Sequence, residues 1–304
     1  MRYEKNQIGE NMKTTISISI FVFLFGFALI HFPLVIEPLN HYSIYLNLDK
    51  ASKLGSFLSG YAGSIFLLFN ILLLLYIHFE QSKADFEKQF YTFIEIHRSN
   101  VERIKHSGFN GVEAIEKIID LYDNILHGFV QNGWQNIPFE QKINDAYFVI
   151  YYGYNTRAFK IISKNFKSNT SDYFSFMSNV IYHTEGVEKN VINGNTVIPG
   201  LDKYLSTYFR HLFQFVRFID ENEIISKKKK LIFARILRAQ LTTHEQALLL
   251  VNSLGTIGKE WTKRNFIIRY QLVKNIPRGF FKSFDHEKFV EGIKWEHDEY
   301  SHSA

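Results

Sequence analysis

Arg238 and His244 have five residues between them in the stretch RAQLTTHEQ. An arginine carries a fixed positive charge that can stabilise negative charge developing on a reacting group, and a histidine can give or take a proton near neutral pH. The two are the residue types of a catalytic pair, with Ala239 rather than a polar residue following the arginine. The competing assignment makes Arg238 a structural ion-pair partner and His244 an exposed residue in the first turn of a helix. A second group, Arg210, His211, Arg217 and Glu245, could line a basic pocket for a nucleotide or another trigger ligand. The same residues could instead be paired internally, with a buried arginine bridging to Glu221 or Glu245. A third group, Lys227 to Lys230, is a run of four lysines that could meet anionic lipid or nucleic acid, or form a solvated turn. His297, Asp298, Glu299 and His302 can ligate metals, but they sit in a polar terminus without matching ligands nearby in sequence, so no metal is expected.

Other chemistries are excluded by composition and motif. The chain has 304 residues and no cysteine, which removes disulfides, thiolate zinc sites and cysteine nucleophiles and fits a reducing compartment. It contains no Gly-rich loop ending in Gly-Lys-Ser/Thr, no Gly-x-Ser-x-Gly elbow and no His-Glu-x-x-His. No cofactor is expected, and a non-enzymatic role leads over an enzymatic one. The net charge of +5 suits an anionic lipid surface and is too diffuse to indicate nucleic acid by itself.

The elements that would position these groups read as helices. The few prolines, 5, and glycines, 17, favour helices and short turns over a β-sandwich. Residues 80–106 carry a stripe of Phe86, Phe90, Phe93 or Ile94, and Ile96 or His97 at helical spacing, broken by Gly108 and Gly111. Residues 111–129 place Val112, Ile115, Ile118, Ile119, Tyr122 and Ile125 on one face. An apolar, aromatic stretch over 142–164 has Gly153 as its break, and 165–202 predicts either a small hairpin or a loop around Asn193-Gly194 and Pro199-Gly200. Residues 204–220 predict a helix with Leu205, Phe209, Leu212, Val216 and Ile219 inward and Arg210, Gln214, Arg217 and Glu221 on another face. Further helices are predicted over 231–240, from the capping-box candidates Thr242-x-x-Glu245 and Thr243-x-x-Gln246 to Gly255, and over 259–273.

Ahead of this module the chain changes solvent. Residues 54–79 run 26 positions without an Asp, Glu, Lys or Arg, and 14–36 form a second charge-free run. As a helix the longer run spans about 39 Å at roughly 1.5 Å per residue, more than the roughly 30 Å hydrocarbon core of a bilayer. The expected architecture is all-α: an N-terminal tail and two-helix transmembrane hairpin over residues 1–80, with helices at 14–36 and 54–79, then a mainly helical cytoplasmic domain over 81–304. A retained helix is favoured over a cleaved signal, because a second apolar span follows the first. Arg2, Lys5 and Lys13 before the hairpin, and Lys83, Lys88 and Arg98 after it, outnumber Lys50 and Lys53 in its loop. The positive-inside rule then puts both termini in the cytoplasm. Ser56, Gly60 and Ser64 recur every four residues, as do Gly55, Ser59 and Gly63, and Asn70 lies deep in the run. Such small residues let another helix approach closely, and the amide could bridge protomers or bond a nearby carbonyl, so the bilayer and a homo-oligomer are expected partners.

Four blocks resemble the phage abortive infection proteins, the AbiC-like family of bacterial membrane proteins. They are QFYTFIEIHRSNVERI, DAYFVIYYGY at 145–154, YFRHLFQFVRFID at 208–220, and RAQLTTHEQALLLVNSL at 238–254 followed by Gly258, Trp261 and LVKNIP at 272–277. They run in family order over about residues 85–280. The resemblance implies an anti-phage role at the bacterial inner membrane, in which infection, through a phage-derived trigger or a defence-system partner, sets off arrest or death of the host. Separately, the spacing of Arg238 and His244 resembles the Arg-to-His motif of HEPN-type ribonucleases. That resemblance implies paired protomers, with the arginine on an RNA phosphate and the histidine in acid–base work beside a 2′-hydroxyl. Nucleic acid enters as a partner on this alternative and as one candidate partner of the lysine run.

Overall fold

The computed structural model describes residues 48–131, 134–164, 170–183, 189–192 and 195–301. The N-terminal tail, the expected first apolar helix at 14–36, the turn Asn193-Gly194 and His302 lie outside the described residues. The chain divides into two compact units, Met1–Ser82 and Lys83–Ala304.

Helix α1, Leu48–Glu102, contains the longer charge-free run. Within the first unit its large apolar side chains, among them Phe57, Leu67 and Leu74, stand exposed. An 18-residue window of this helix has a mean hydropathy of 2.1 with none of it buried, so by length and composition it can cross a membrane.

In the second unit the same helix becomes one-sided. Phe86, Phe90, Ile94, His97 and Val101 are buried, whereas Ile96 is exposed. Phe90 packs against Phe215 at 5.1 Å and Phe233 at 4.8 Å, and Phe86 stacks on Phe218 at 4.7 Å. A two-residue turn at Ser107 (φ 51°) and Gly108 (φ 81°) joins β1, Lys105–His106, to β2, Phe109–Asn110. Helix α2, Gly111–Gln131, buries Ile115, Ile118, Ile119, Tyr122 and Ile125. Val112, assigned to that face by periodicity, is exposed, because the helix starts only one residue before it and its first turn overhangs the packed face.

Helix α3, Phe139–Tyr152, ends at Gly153 as expected and leads into β3, Gly153–Tyr154, and α4, Thr156–Ser163. Gly153 faces Gly200 so closely that a Cβ on Gly153 would lie 2.3 Å from the Ile198 carbonyl oxygen, and Gly153 itself has φ +80°. Residues 165–202 hold more than the hairpin or loop expected there. Helix α5, Thr170–His183, precedes β4, Asn190–Ile192, and β5, Asn195–Pro199. The strands form an antiparallel sheet in the order β3-β5-β4, so the nearly all-α unit also carries two small sheets.

Helix α6, Asp202–Glu221, presents the predicted stripe to the core. Helix α7, Lys227–Arg238, begins earlier than expected. Ser226 caps it by accepting from the Lys229 N–H, which turns the lysine run into the first turn of a helix rather than a connector. Helix α8, Thr243–Leu254, is buried on all sides from Glu245 to Ser253 and packs against α2, α3 and α9, Lys259–Lys263. The single helix predicted over 259–273 is instead α9 and α10, Phe266–Tyr270, separated by Asn265 (φ 56°) and closed by Gln271 (φ 54°). A left-handed residue cannot continue a right-handed helix, so each ends a segment. A short α11, Glu296–Ser301, follows a 3-10 turn at His286–Phe289.

Candidate functional site

The capping box predicted at Thr242 and Glu245 is present, and it is half of a larger arrangement. Thr242 Oγ1 accepts from the Glu245 N–H at 3.2 Å, and Glu245 Oε2 accepts from the Thr242 N–H at 2.9 Å and its hydroxyl at 3.0 Å. The second oxygen, Oε1, meets His97 Nε2 at 3.0 Å and the Tyr208 hydroxyl at 3.4 Å. His97 and Glu245 are 1% and 2% exposed, so this is a sealed cluster joining α1, α6 and α8. A carboxylate can only accept, so the geometry assigns the proton to Nε2 and leaves His97 Nδ1 buried without a partner. Burial, reinforced by the Glu245 charge, drives the Tyr208 phenol far above its ordinary range and keeps it a donor.

His211 borders the cluster. Its ring lies 6.4 Å from that of His97, its Nε2 meets the Phe93 carbonyl at 3.0 Å, and burial lowers its pKa. Of the four residues grouped from sequence, only His211 and Glu245 come near one another through His97. Arg217 lies on the outside of α6 and donates to both Glu221 oxygens at 2.8 Å, which is the internal ion pair foreseen for it, formed at the surface rather than buried. Arg210 is exposed at the rim of a cleft of about 280 Å³ with Tyr151, Phe213, Asn252 and Trp261.

Arg238 and His244 turn to different neighbours. Arg238, the last residue of α7, donates to the Gln271 carbonyl at 3.1 Å, at the left-handed residue that closes α10. The His244 ring sits edge-on to Phe280 at 5.3 Å, beside Asp120, Asn124 and Lys282 in a cleft of about 310 Å³. Among the described residues no group of three or more His, Asp and Glu side chains is placed to hold a metal ion.

Several polar residues with buried side-chain atoms were not singled out as site candidates by sequence, among them His97, Asp145 and His106. His97 had entered only as a stripe position. Asp145 lies buried in α3, takes hydrogen bonds from Asn144 at 3.2 Å and Tyr173 at 3.3 Å, and is nevertheless pushed up to about 6 by burial. His106, in β1, has a buried Nε2 without a partner, and burial lowers its pKa to about 4.

In the first unit, the positions of Ser56, Gly60 and Ser64 are exposed, and a Cβ on Gly60 would meet nothing within 4 Å. The Ser64 hydroxyl donates to the Gly60 carbonyl of its own helix at 2.6 Å. The Asn70 amide is exposed and has no hydrogen-bond partner among the described residues. At about 100° per residue, Asn70 falls about 20° from Gly63 and about 80° from Gly60, so it tops the second small-residue row rather than the first.

A helical module follows a helix apolar and long enough to span a bilayer, and within that module His97, Tyr208 and Glu245 form a sealed polar cluster. Residues 200–281, which hold α6 to α10 and Glu245, match the model of the family described as "putative phage abortive infection protein". The AbiC-like resemblance is borne out over that region. No curated protein and no solved structure matches the chain. The family match supports anti-phage defence as the general role.

Proposed function

We propose that this chain is an abortive-infection effector anchored in the bacterial inner membrane, which perturbs that membrane once its helical module registers infection. The observation that carries this reading is the pairing, in one chain, of an AbiC-like region with a helix whose most apolar window is wholly uncovered. Uncovered apolar surface of that extent is stable only in lipid or against another chain. In this reading residues 14–36 supply the second span and both termini face the cytoplasm. The helical module takes a phage-derived trigger or a defence-system partner.

The small-residue rows of α1 give the helix a face for a second copy, making the effector a homo-oligomer. An unpartnered amide in hydrocarbon is costly, so Asn70 adds to the drive for association along the Ser59–Gly63 row. Dye-loaded liposomes containing the purified chain should leak, and infected cells should lose membrane potential before lysis. Intact liposomes together with a sustained potential would refute membrane perturbation. The ribonuclease alternative built on Arg238 and His244 has no observation in its favour, since each side chain contacts a neighbour of its own.

A further inference from the structure

Helix α7 starts in an arrangement that is unfavourable in isolation. Lys227, Lys228 and Lys229 are exposed in its first turn, which contains no acidic residue, while Lys230 turns back to the Asp220 carbonyl. Positive charge at that end opposes the helix macrodipole. On the next turn Leu231 and Ile232 are 50% and 45% exposed, and Ile224 stands out from the preceding connector. Lys227, Leu231 and Arg235 are spaced by four, as are Lys228 and Ile232, so these five share one face. The opposite face buries Phe233, Ala234 and Leu237.

Nearby acids do not neutralise this face. Asp220 holds Arg269 and Tyr270, Glu221 holds Arg217 and Arg264, and Lys229 reaches Glu87 only at 4.0 Å. Glu223 is the one carboxylate between residues 222 and 238. Through Phe233, α7 packs on Phe86 and Phe90. Phe86 follows the last residue of the charge-free run, Phe79, by seven positions, a distance of at most about 25 Å even for extended chain.

We propose that the face formed by Lys227, Lys228, Leu231, Ile232 and Arg235 seats on an anionic bilayer, with the cations at headgroup phosphates and the two aliphatic side chains in the interface. Such a mixture of basic and bare aliphatic side chains fits a membrane surface. Nucleic acid would reward the charges and leave Leu231 and Ile232 in water. The proposal rests on the membrane-anchored reading above.

The absence of cysteine allows a single one to be introduced at a time. Leu231→Cys and Leu67→Cys, each carrying an environment-sensitive fluorophore, would be placed in full-length chain in nanodiscs of phosphatidylcholine, with and without phosphatidylglycerol. Quenching by brominated acyl chains is then read. The expected result is quenching at position 67 in both lipids, and at 231 only where phosphatidylglycerol is present. Adding Lys227→Gln and Lys228→Gln should lower the seating equilibrium roughly 30-fold, at about 1 kcal/mol per lysine. Quenching at 67 without quenching at 231 overturns this proposal and leaves the anchor standing. Absence of quenching at both overturns the anchor and the proposal together. Equal quenching at 231 in the two lipids overturns recognition of the anionic headgroup. An RNA oligonucleotide that shifts the label at 231, where lipid does not, reassigns the face to nucleic acid.

Discussion

The two stretches of α1 share one continuous helix and live under opposite conditions. Among the described side chains of residues 55–79 the apolar ones point in every direction and are not buried; between Phe86 and Val101 one stripe is buried, while Tyr91 and Ile96 stay exposed. Both content and arrangement differ: residues 54–79 carry no Asp, Glu, Lys or Arg, whereas Glu87, Lys88, Glu95 and Arg98 share residues 86–101 with the apolar stripe. A helix apolar all round needs an apolar solvent, whereas a striped helix needs only one packed neighbour. Substitutions in the two stretches should therefore report through different measurements.

The largest effects belong to the buried stretch. Phe90→Ala should lower the unfolding free energy of the helical unit by about 3–5 kcal/mol, while Leu67→Ala should leave it within about 0.5 kcal/mol. Denaturant unfolding of the detergent-solubilised chain checks both, and equal losses would erase the contrast. Glu245→Ala should also cost about 3–5 kcal/mol, because it strands the buried His97 and Tyr208 donors and removes a helix cap. Unchanged unfolding would mean that the cluster does not hold α1.

A smaller effect is expected at Asp145. Its pKa of about 6 in the folded unit lies above the ordinary carboxylate value, so the folded state holds a proton that the unfolded state has lost. Stability from this group is present at about pH 4 and falls as pH rises through 6. The change is at most about 3 kcal/mol, at 1.36 kcal/mol per pH unit. Asp145→Asn should flatten that slope and raise stability at pH 7, which a pH series of thermal melts would show. In the uncovered stretch, Gly60→Leu and Asn70→Leu should leave unfolding of the helical unit unchanged and reduce self-association in detergent, read by cross-linking. Retained cross-linking in both would make the helix only an anchor. The smallest effect is expected from Arg238→Ala and His244→Ala on phage protection at normal protein levels. Loss of protection in both, with intact folding, would revive the ribonuclease alternative.

These contrasts also explain what could be read without coordinates. The stripe through Phe86 and Phe90, with Ile96 or His97 left open, and the Thr242–Glu245 box were legible because both are local, set by helical repeat and by a three-residue reach. The partnership of His97 with Glu245 was not, since 148 positions separate them and nothing in either neighbourhood names the other. The break at Asn265 and Gln271 escaped because neither is glycine, and only tertiary packing holds them left-handed. Helix α5 escaped because its Ser, Thr and Asn content, set among turn-forming neighbours, resembles a loop. For Arg238 and His244, spacing was legible but direction was not, and direction decides what a side chain can do.

The Glu245 carboxylate has a mechanical consequence. One oxygen starts α8 and the other grips α1, so two helices are spliced through a single carbon atom. A pull along α1 from its apolar end meets the packing of Phe86, Phe90 and Phe93 and then, at His97, the first turn of α8. Alongside the aromatic packing, the grip on α1 at His97 therefore acts directly on the start of the most buried helix in the unit.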